Sequence, residues 1–301
     1  MELGMIGLGR MGANMTERLI GGGHRIVVHD IDPAAVRRVA GMGAVGAESI
    51  ESLIRQLKPP RAIWMMVPAG RIVEETLISL VPVLQPGDTV IDGGNSNYKD
   101  SMRRAAICAG NGLELVDAGT SGGIWGLREG YCLMVGGSKT AVERLRPIFE
   151  TLAPAADKGW AHVGPVGSGH FVKMVHNGIE YGLMQAYAEG FAILKRKSDF
   201  HLDIHQIAEI WRHGSVVRSW LLDLTAEALA EDTDLENIRP EVADSGEGRW
   251  TVAEAIDEDT AAPVITLALL ERLRSRDREA YSDKLLAVMR NKFGGHEVKK
   301  Q

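Results

Sequence analysis

"LGMIGLGRMG", residues 3–12, decides the fold. Its first five residues are small or apolar and read as a buried strand. Glycines stand at 7, 9 and 12, the pattern G-x-G-x-x-G, and residues 10–21 carry a helical period. Glycines alone mark only a turn. Between a strand and a helix they let the backbone approach a pyrophosphate, and the helix N-terminus favours its negative charge. The second strand, "RIVVHD" (25–30), ends in Asp30, 18 residues after Gly12, the place for a carboxylate that accepts hydrogen bonds from an adenosine ribose. Gly7, Gly9, Arg10, Met11, Gly12 and Asp30 are therefore expected to contact a dinucleotide. A carboxylate at 30 repels a 2′-phosphate, Ile31 supplies no cation to offset it, and Asp32 adds negative charge. The expected cofactor is NAD, with NADP disfavoured. Asp32, just before Pro33, also suits a helix N-cap.

Working outward, "AIWMMV" (62–67), "TVIDGG" (89–94) and "LELVDA" (113–118) are further short apolar runs, with helical patterns between them. This alternation implies an α/β domain, a doubly wound parallel sheet covered on both faces. Val67, closing the run 62–67, joins the expected cofactor contacts. "YCLMVGG" (131–137) and "WAHVG" (160–164) read as two more strands of that sheet. "GPVGSG" (164–169) is a Gly/Pro-rich connection, and beyond it every pattern is helical. A long helix is expected over 168–195, with Ser168 as its N-cap. The expected architecture is a Rossmann-type domain over 1–163 followed by an all-helical domain over 164–301 that serves substrate binding and oligomerisation.

The 301 residues are 45% apolar and 25% charged, the mix of a soluble globular protein. A net charge of −6 argues against nucleic acid or an anionic membrane as partner. No apolar stretch is long enough to span a bilayer, and the N-terminus shows no basic run followed by an apolar one. The two cysteines, Cys108 and Cys132, make no disulfide framework and fit a reducing cytoplasm.

"FVKMVHNGIEYG" (171–182) gathers Lys173, His176, Asn177, Glu180 and Tyr181. At these spacings all five fall on one face of a helix, while Phe171, Val172, Val175, Ile179 and Leu183 occupy the other. A polar stripe on a mostly apolar helix either lines a cavity or costs stability. No compact Asp/Glu cluster suits magnesium, and no metal is expected. His201 and His205 read as solvated residues at a helix start rather than as zinc ligands.

"GLGRMGANM", "DGGNSNY", "DAGTSGG", "KMVHNGIEYG" and "GRWT" follow one another in an order and spacing that resembles the decarboxylating 6-phosphogluconate dehydrogenases, in their short NAD-preferring form. The resemblance covers nearly the whole chain. It implies oxidation of the C3 hydroxyl of 6-phosphogluconate, loss of carbon dioxide and protonation of the resulting enediol, as in the pentose phosphate pathway. It implies Lys173 as general base, Glu180 as general acid, and His176 with Asn177 as the substrate-orienting pair. Ser121, Gly122 and Gly123 match the loop that holds the substrate carboxylate, and Asn95 the residue between cofactor and substrate. Tyr181, Arg249 and Thr251 match the phosphate clamp, with arginine where many members have lysine. Arg272, or Arg274 two positions on, matches a further phosphate ligand. The tail "RNKFGGHEV" resembles a segment inserted into a neighbouring subunit's site, which nominates Arg290 and His296 and implies a homodimer or homotetramer. Long members carry a larger helical domain that is absent here. Two other readings compete. A dehydrogenase of the 3-hydroxyisobutyrate or tartronate semialdehyde type would share Ser121–Gly123, Lys173 and Asn177 but need no phosphate clamp and no acid at Glu180, and a catalytically silent NAD-binding regulator would be favoured by loss of Lys173, which is present.

Overall fold

The structure is a computed structural model that describes residues 1–299, without the side chain of Phe293. Lys300 and Gln301, the end of the expected tail, lie outside the described residues. The chain runs β1 (Glu2–Ile6), α1 (Arg10–Gly21), β2 (Arg25–His29), α2 (Pro33–Ala40), β3 (Val45–Gly46), α3 (Ile50–Arg55), β4 (Ala62–Met65), α4 (Arg71–Leu80), β5 (Thr89–Asp92), α5 (Tyr98–Gly110), β6 (Glu114–Ser121), α6 (Gly126–Glu129), β7 (Cys132–Gly136), α7 (Lys139–Leu152) and β8 (Trp160–Gly164). Beyond it the described residues form helices and no strand: α8 (Ser168–Arg196), α9 (Ile204–Trp211), α10 (Trp220–Glu231), α11 (Glu247–Asp257), α12 (Pro263–Arg274) and α13 (Tyr281–Gly294). The compact units are Met1–Asn177 and the stretch from Gly178 onward.

In the first unit the strands form one sheet in the order β3-β2-β1-β4-β5-β6-β7-β8. Apolar clusters on its two faces, one around Trp64, Val135 and Phe149, the other around Ile63, Met65 and Leu77, make it a doubly wound layer. From β1 the chain winds outward to β2 and β3, then returns to β4 on the other side. The reversal opens a crevice beyond the C-terminal ends of β1 and β4.

The sheet is not wholly parallel, because β7 pairs antiparallel with β6, Ser121 opposite Cys132. The link between them, residues 122–131, holds one 3-10 turn, Gly123–Trp125, and the four-residue α6. A parallel return needs a crossover of about a dozen residues or more, and the chain has no such length there. The edge strand β3, two residues long, carries no alternation that would announce it. Asp32 caps α2 as expected, accepting from the Ala34 N–H at 2.8 Å.

Ser168 does not cap α8. Its hydroxyl is buried without a hydrogen-bond partner. The oxygens of Asp117 from β6 take that place, accepting from the N–H groups of Gly167 at 2.6 Å and His170 at 2.8 Å. Along α8 the faces are inverted relative to an ordinary amphipathic helix. Lys173 and Asn177 are buried, at 4% and 9% exposure, whereas Ile179, Leu183 and Ile193 are exposed.

The second unit has small cores, one of Phe191, Ile204, Ala208, Leu222, Ala226 and Leu229, another of Tyr181, Ala268 and Leu269. His201 lies outside α9 in the left-handed region, so it and His205 do not share a helix face. Among the described residues no helix is long and apolar enough to cross a membrane.

Candidate active site

Gly7 leaves β1 at φ +94°, and a Cβ there would lie 2.3 Å from the Met66 carbonyl oxygen and 2.8 Å from a Val67 methyl. A Cβ on Gly12 would stand 1.9 Å from the Gly7 carbonyl oxygen, so only glycine lets α1 pack this closely on the loop. Gly9 differs, since nothing lies within 4 Å of its Cβ position. It caps α1 without a side-chain hydrogen bond, and the first turn holds no acid. An open helix N-terminus beside an unobstructed glycine has the shape and the charge for a pyrophosphate, so these residues fit a dinucleotide. Arg10 is exposed and Met11 half-buried at the same helix start.

Asp30 accepts hydrogen bonds from the N–H groups of Leu8 and Asp32. Arg38 donates to the Leu8 carbonyl at 3.1 Å. Leu8 is thus held at both ends, and Asp30 shapes the glycine loop. Sequence reasoning missed Arg38, because an arginine partway along a helix belongs to no motif. Ile31 is 97% exposed and brings no charge to the ribose side.

Asn95 adopts φ +52°, which asparagine tolerates. Its side-chain oxygen accepts from the Thr120 N–H at 2.8 Å, and its nitrogen donates to the Thr120 carbonyl at 3.0 Å. These two bonds fasten the β5–α5 loop to β6 one residue before Ser121. Gly122 and Gly123, at φ +125° and +50°, turn the chain after Ser121, and the Gly123 Cβ position is open. Behind the loop lies a buried network that the sequence did not announce. Arg104 donates to Ser96 at 3.2 Å, Asp92 at 3.4 Å and Glu74 at 2.8 Å, and Ser96 donates to Asp92 at 2.8 Å. Hydrogen bonds from Arg103 and then Arg104 hold the Glu74 carboxyl down to about 2.

On α8, the Lys173 amine donates to the Asn177 side-chain oxygen, and His176 Nδ1 stands 3.0 Å from the same oxygen. A Cβ on Gly119 would lie 2.5 Å from the Lys173 Cβ, so this glycine is what lets the lysine stem press against β6. Burial pushes the Cys132 thiol up, and the positive charge of Lys173 partly offsets this. The amine is therefore near the strand pair that ends in Ser121.

Within the second unit, Tyr181 accepts from the Ser245 N–H at 3.0 Å, and the Arg272 guanidinium lies 3.7 Å from its ring centroid. Arg272 is buried and donates to the Ala243 carbonyl at 3.0 Å, whereas Arg274 is exposed beside Glu271. Of the two arginines, Arg272 is the one at Tyr181. Arg249 is half-exposed and contacts both oxygens of Asp244 at 3.1 Å, and Arg276 reaches Asp244 at 2.6 Å. The bond from Arg249, then that from Arg276, holds Asp244 down to about 2. Thr251 is buried, its hydroxyl donating to the Glu247 carbonyl at 2.9 Å, and a Cβ on Gly178 would meet its methyl at 2.6 Å. Glu180 is half-buried on α8, while Arg290 and His296 are exposed. Ser245 and Arg276 were not anticipated from sequence.

Residues 2–164 match the NAD binding domain of 6-phosphogluconate dehydrogenase, and residues 169–300 match the 6-phosphogluconate dehydrogenase C-terminal domain. The chain belongs to the 6-phosphogluconate dehydrogenase family. It is 44% identical to the NAD(+)-dependent, decarboxylating 6-phosphogluconate dehydrogenase of Haloferax volcanii, over 99% of this chain and 98% of that one. It is 36% identical to the decarboxylating enzyme of Haemophilus ducreyi, over 95% of this chain but only 61% of that longer protein. The solved 6-phosphogluconate dehydrogenase of Plasmodium falciparum superimposes with a TM-score of 0.84 at 30% identity, covering all of this chain and 66% of that one. A Mycobacterium tuberculosis 3-hydroxyisobutyrate dehydrogenase, at TM-score 0.73 and 22% identity over 92% of this chain and 94% of its own, shares the fold.

Proposed function

We infer that this chain oxidises 6-phosphogluconate with NAD and decarboxylates it to ribulose 5-phosphate and carbon dioxide. The observation that carries the reading is Lys173, buried, bonded to Asn177 and pressed against the glycine of β6 two residues before Ser121. Bound NAD would supply the hydride acceptor for C3. Gly7, Gly9, Gly12 and Asp30 would hold it, with Arg10, Met11, Val67 and Asn95 beside it. Lys173 in its neutral form takes the C3 hydroxyl proton. The ammonium so formed polarises the new C3 carbonyl, which is the electron sink as the carboxylate leaves as carbon dioxide. His176 and Asn177 orient the substrate, and Ser121, Gly122 and Gly123 receive its carboxylate. Glu180, seven residues along α8 from Lys173, protonates C1 of the enediol from the same helix face. The phosphate goes to Tyr181, Arg249, Thr251 and Arg272. Arg249 and Arg276 would then share their charge between Asp244 and the phosphate. The boundary near residue 164, where the last strand ends, belongs to the same proposal.

The enzyme is a homo-oligomer whose tail, with Arg290 and His296, completes a neighbour's site. What supports this is α13: none of its described side chains is buried, and Tyr281, Leu285, Leu286, Val288 and Met289 are 43–69% exposed. A helix with so much uncovered apolar surface calls for a partner. The free thiols of Cys108 and Cys132 favour a reducing, cytoplasmic setting.

The test is formation of NADH with 6-phosphogluconate set against unphosphorylated 3-hydroxyacids. Comparable kcat/KM for an unphosphorylated acid would sink the reading and favour the 3-hydroxyisobutyrate type.

A further inference from the structure

Three segments carry the candidate chemistry in the first unit: the β5–α5 loop with Asn95, the end of β6 with Ser121, and α8 with Lys173. They converge on the first turn of α8. Asp117, wholly buried on β6, accepts from the backbone of Gly167 at 2.6 Å and of His170 at 2.8 Å. His170, 1% exposed, has its Nδ1 2.8 Å from the hydroxyl of Ser101 in α5. The Asn95–Thr120 pair closes the circuit between the loop and β6.

The strands around Asp117 are cleared for this contact. A Cβ on Gly136 would lie 2.4 Å from an Asp117 carboxylate oxygen, and one on Gly169 would lie 2.5 Å from the Asp117 carbonyl oxygen. Asp117 is two residues before Gly119, where the Lys173 stem rests, and four before Ser121. Its two oxygens therefore fix how far α8 advances along β6, which is the distance between the lysine and the carboxylate loop. A buried carboxylate is a costly way merely to cap a helix, since Ser168 stands beside the same turn with a hydroxyl that makes no bond.

We propose that Asp117 is a positioning residue for the oxidation step: it sets the register of α8 on β6 and thereby places Lys173 against the C3 hydroxyl. Ser101, through His170, holds the same turn to α5. The proposal rests on the function inferred above.

The experiment uses the full-length enzyme with Asp117→Asn and Ser101→Ala. It measures kcat, KM, NAD affinity, thermal melting and the primary deuterium isotope effect with 6-phosphogluconate deuterated at C3. A shift of the lysine slows hydride transfer, so Asp117→Asn should lose roughly 10–100-fold in kcat, in line with a displaced acid–base group. Its isotope effect should rise, while NAD affinity stays within about twofold because the glycine loop is untouched. Ser101→Ala should show the same changes at smaller size. If folded Asp117→Asn keeps the parental kcat and isotope effect, Asp117 is a cap for stability alone. If Asp117→Asn does not fold, Ser101→Ala decides: an unchanged kcat and isotope effect overturn the proposal. A parent enzyme inactive on 6-phosphogluconate sinks the underlying function itself, and this inference with it.

Discussion

In the proposed mechanism, replacing Lys173 by alanine removes the base for the C3 hydroxyl and the cation that polarises the new carbonyl in one change. General acid–base groups supply ~10²–10⁴-fold, so kcat should fall to or beyond the upper end of that range, read by single-turnover NADH formation. Glu180→Ala should behave differently, since the acid acts only after carbon dioxide has gone. Cofactor and substrate should bind nearly as before, while exchange of tritium from water into C1 of ribulose 5-phosphate slows, with and without NADH. Parental exchange in both conditions would leave Glu180 a structural neighbour of the lysine. At the ribose end, Asp30→Asn with Ile31→Arg should move kcat/KM toward NADP. Asparagine retains one oxygen for the Leu8 N–H and gives up only the bond to the Asp32 N–H, so most of the loop's anchoring stays. Asp30→Ala lacks that oxygen and should weaken both cofactors. A double variant that still strongly prefers NAD would show that selection lies elsewhere.

Between elements, the buried network behind the β5–α5 loop carries the weight. Arg104 is 1% exposed and joins α5 to Glu74 on α4 and Asp92 at the end of β5. Arg104→Ala leaves a buried carboxylate without its cation, which typically costs about 3–5 kcal/mol; urea unfolding should show it, and a loss under about 1 kcal/mol would refute the role. Glu74 gives the matching pH dependence. Its carboxyl is held at about 2, below its ordinary 4.5, so its contribution is complete above pH 4.5 and fades as pH falls toward 2. Glu74→Gln should therefore flatten the loss of melting temperature across that window. None of this was legible in the sequence, whereas Gly7, Gly9, Gly12 and Asp30 were. The glycine loop is read from neighbours in the chain, each residue's job being set within one strand–turn–helix unit. Arg104, Asp117 and Gly119 act on partners from other elements, and their meaning appears only when β5, β6, α4, α5 and α8 are assembled. The direction of β7 was hidden for a related reason, since an apolar run announces a strand but its link decides the pairing. The stripe on α8 was legible as a face, but its inversion, polar side in and apolar side out, was not.

For the whole molecule, the exposed apolar side chains of α13 and the outward apolar face of α8 belong to a chain that spans about 61–66% of its long relatives. In the proposed oligomer a second copy would cover these surfaces, and its tail would act in trans. Deleting residues 290–301 should raise KM for 6-phosphogluconate strongly while the core stays folded by circular dichroism. Mixing distinguishes trans from cis action. In a dimer, a Lys173→Ala subunit has a dead body but an intact tail, and a tail-deleted subunit has a live body. If the tail crosses over, each hybrid contains one complete site, the live body served by its partner's tail. A statistical one-to-one mixture, reassembled from denatured subunits, should then recover roughly a quarter of the parental sites, because half the dimers are hybrids with one good site of two. If the tail serves its own subunit, every hybrid site lacks either the lysine or the tail. The mixture would then be no more active than its components, and the trans arrangement would fall.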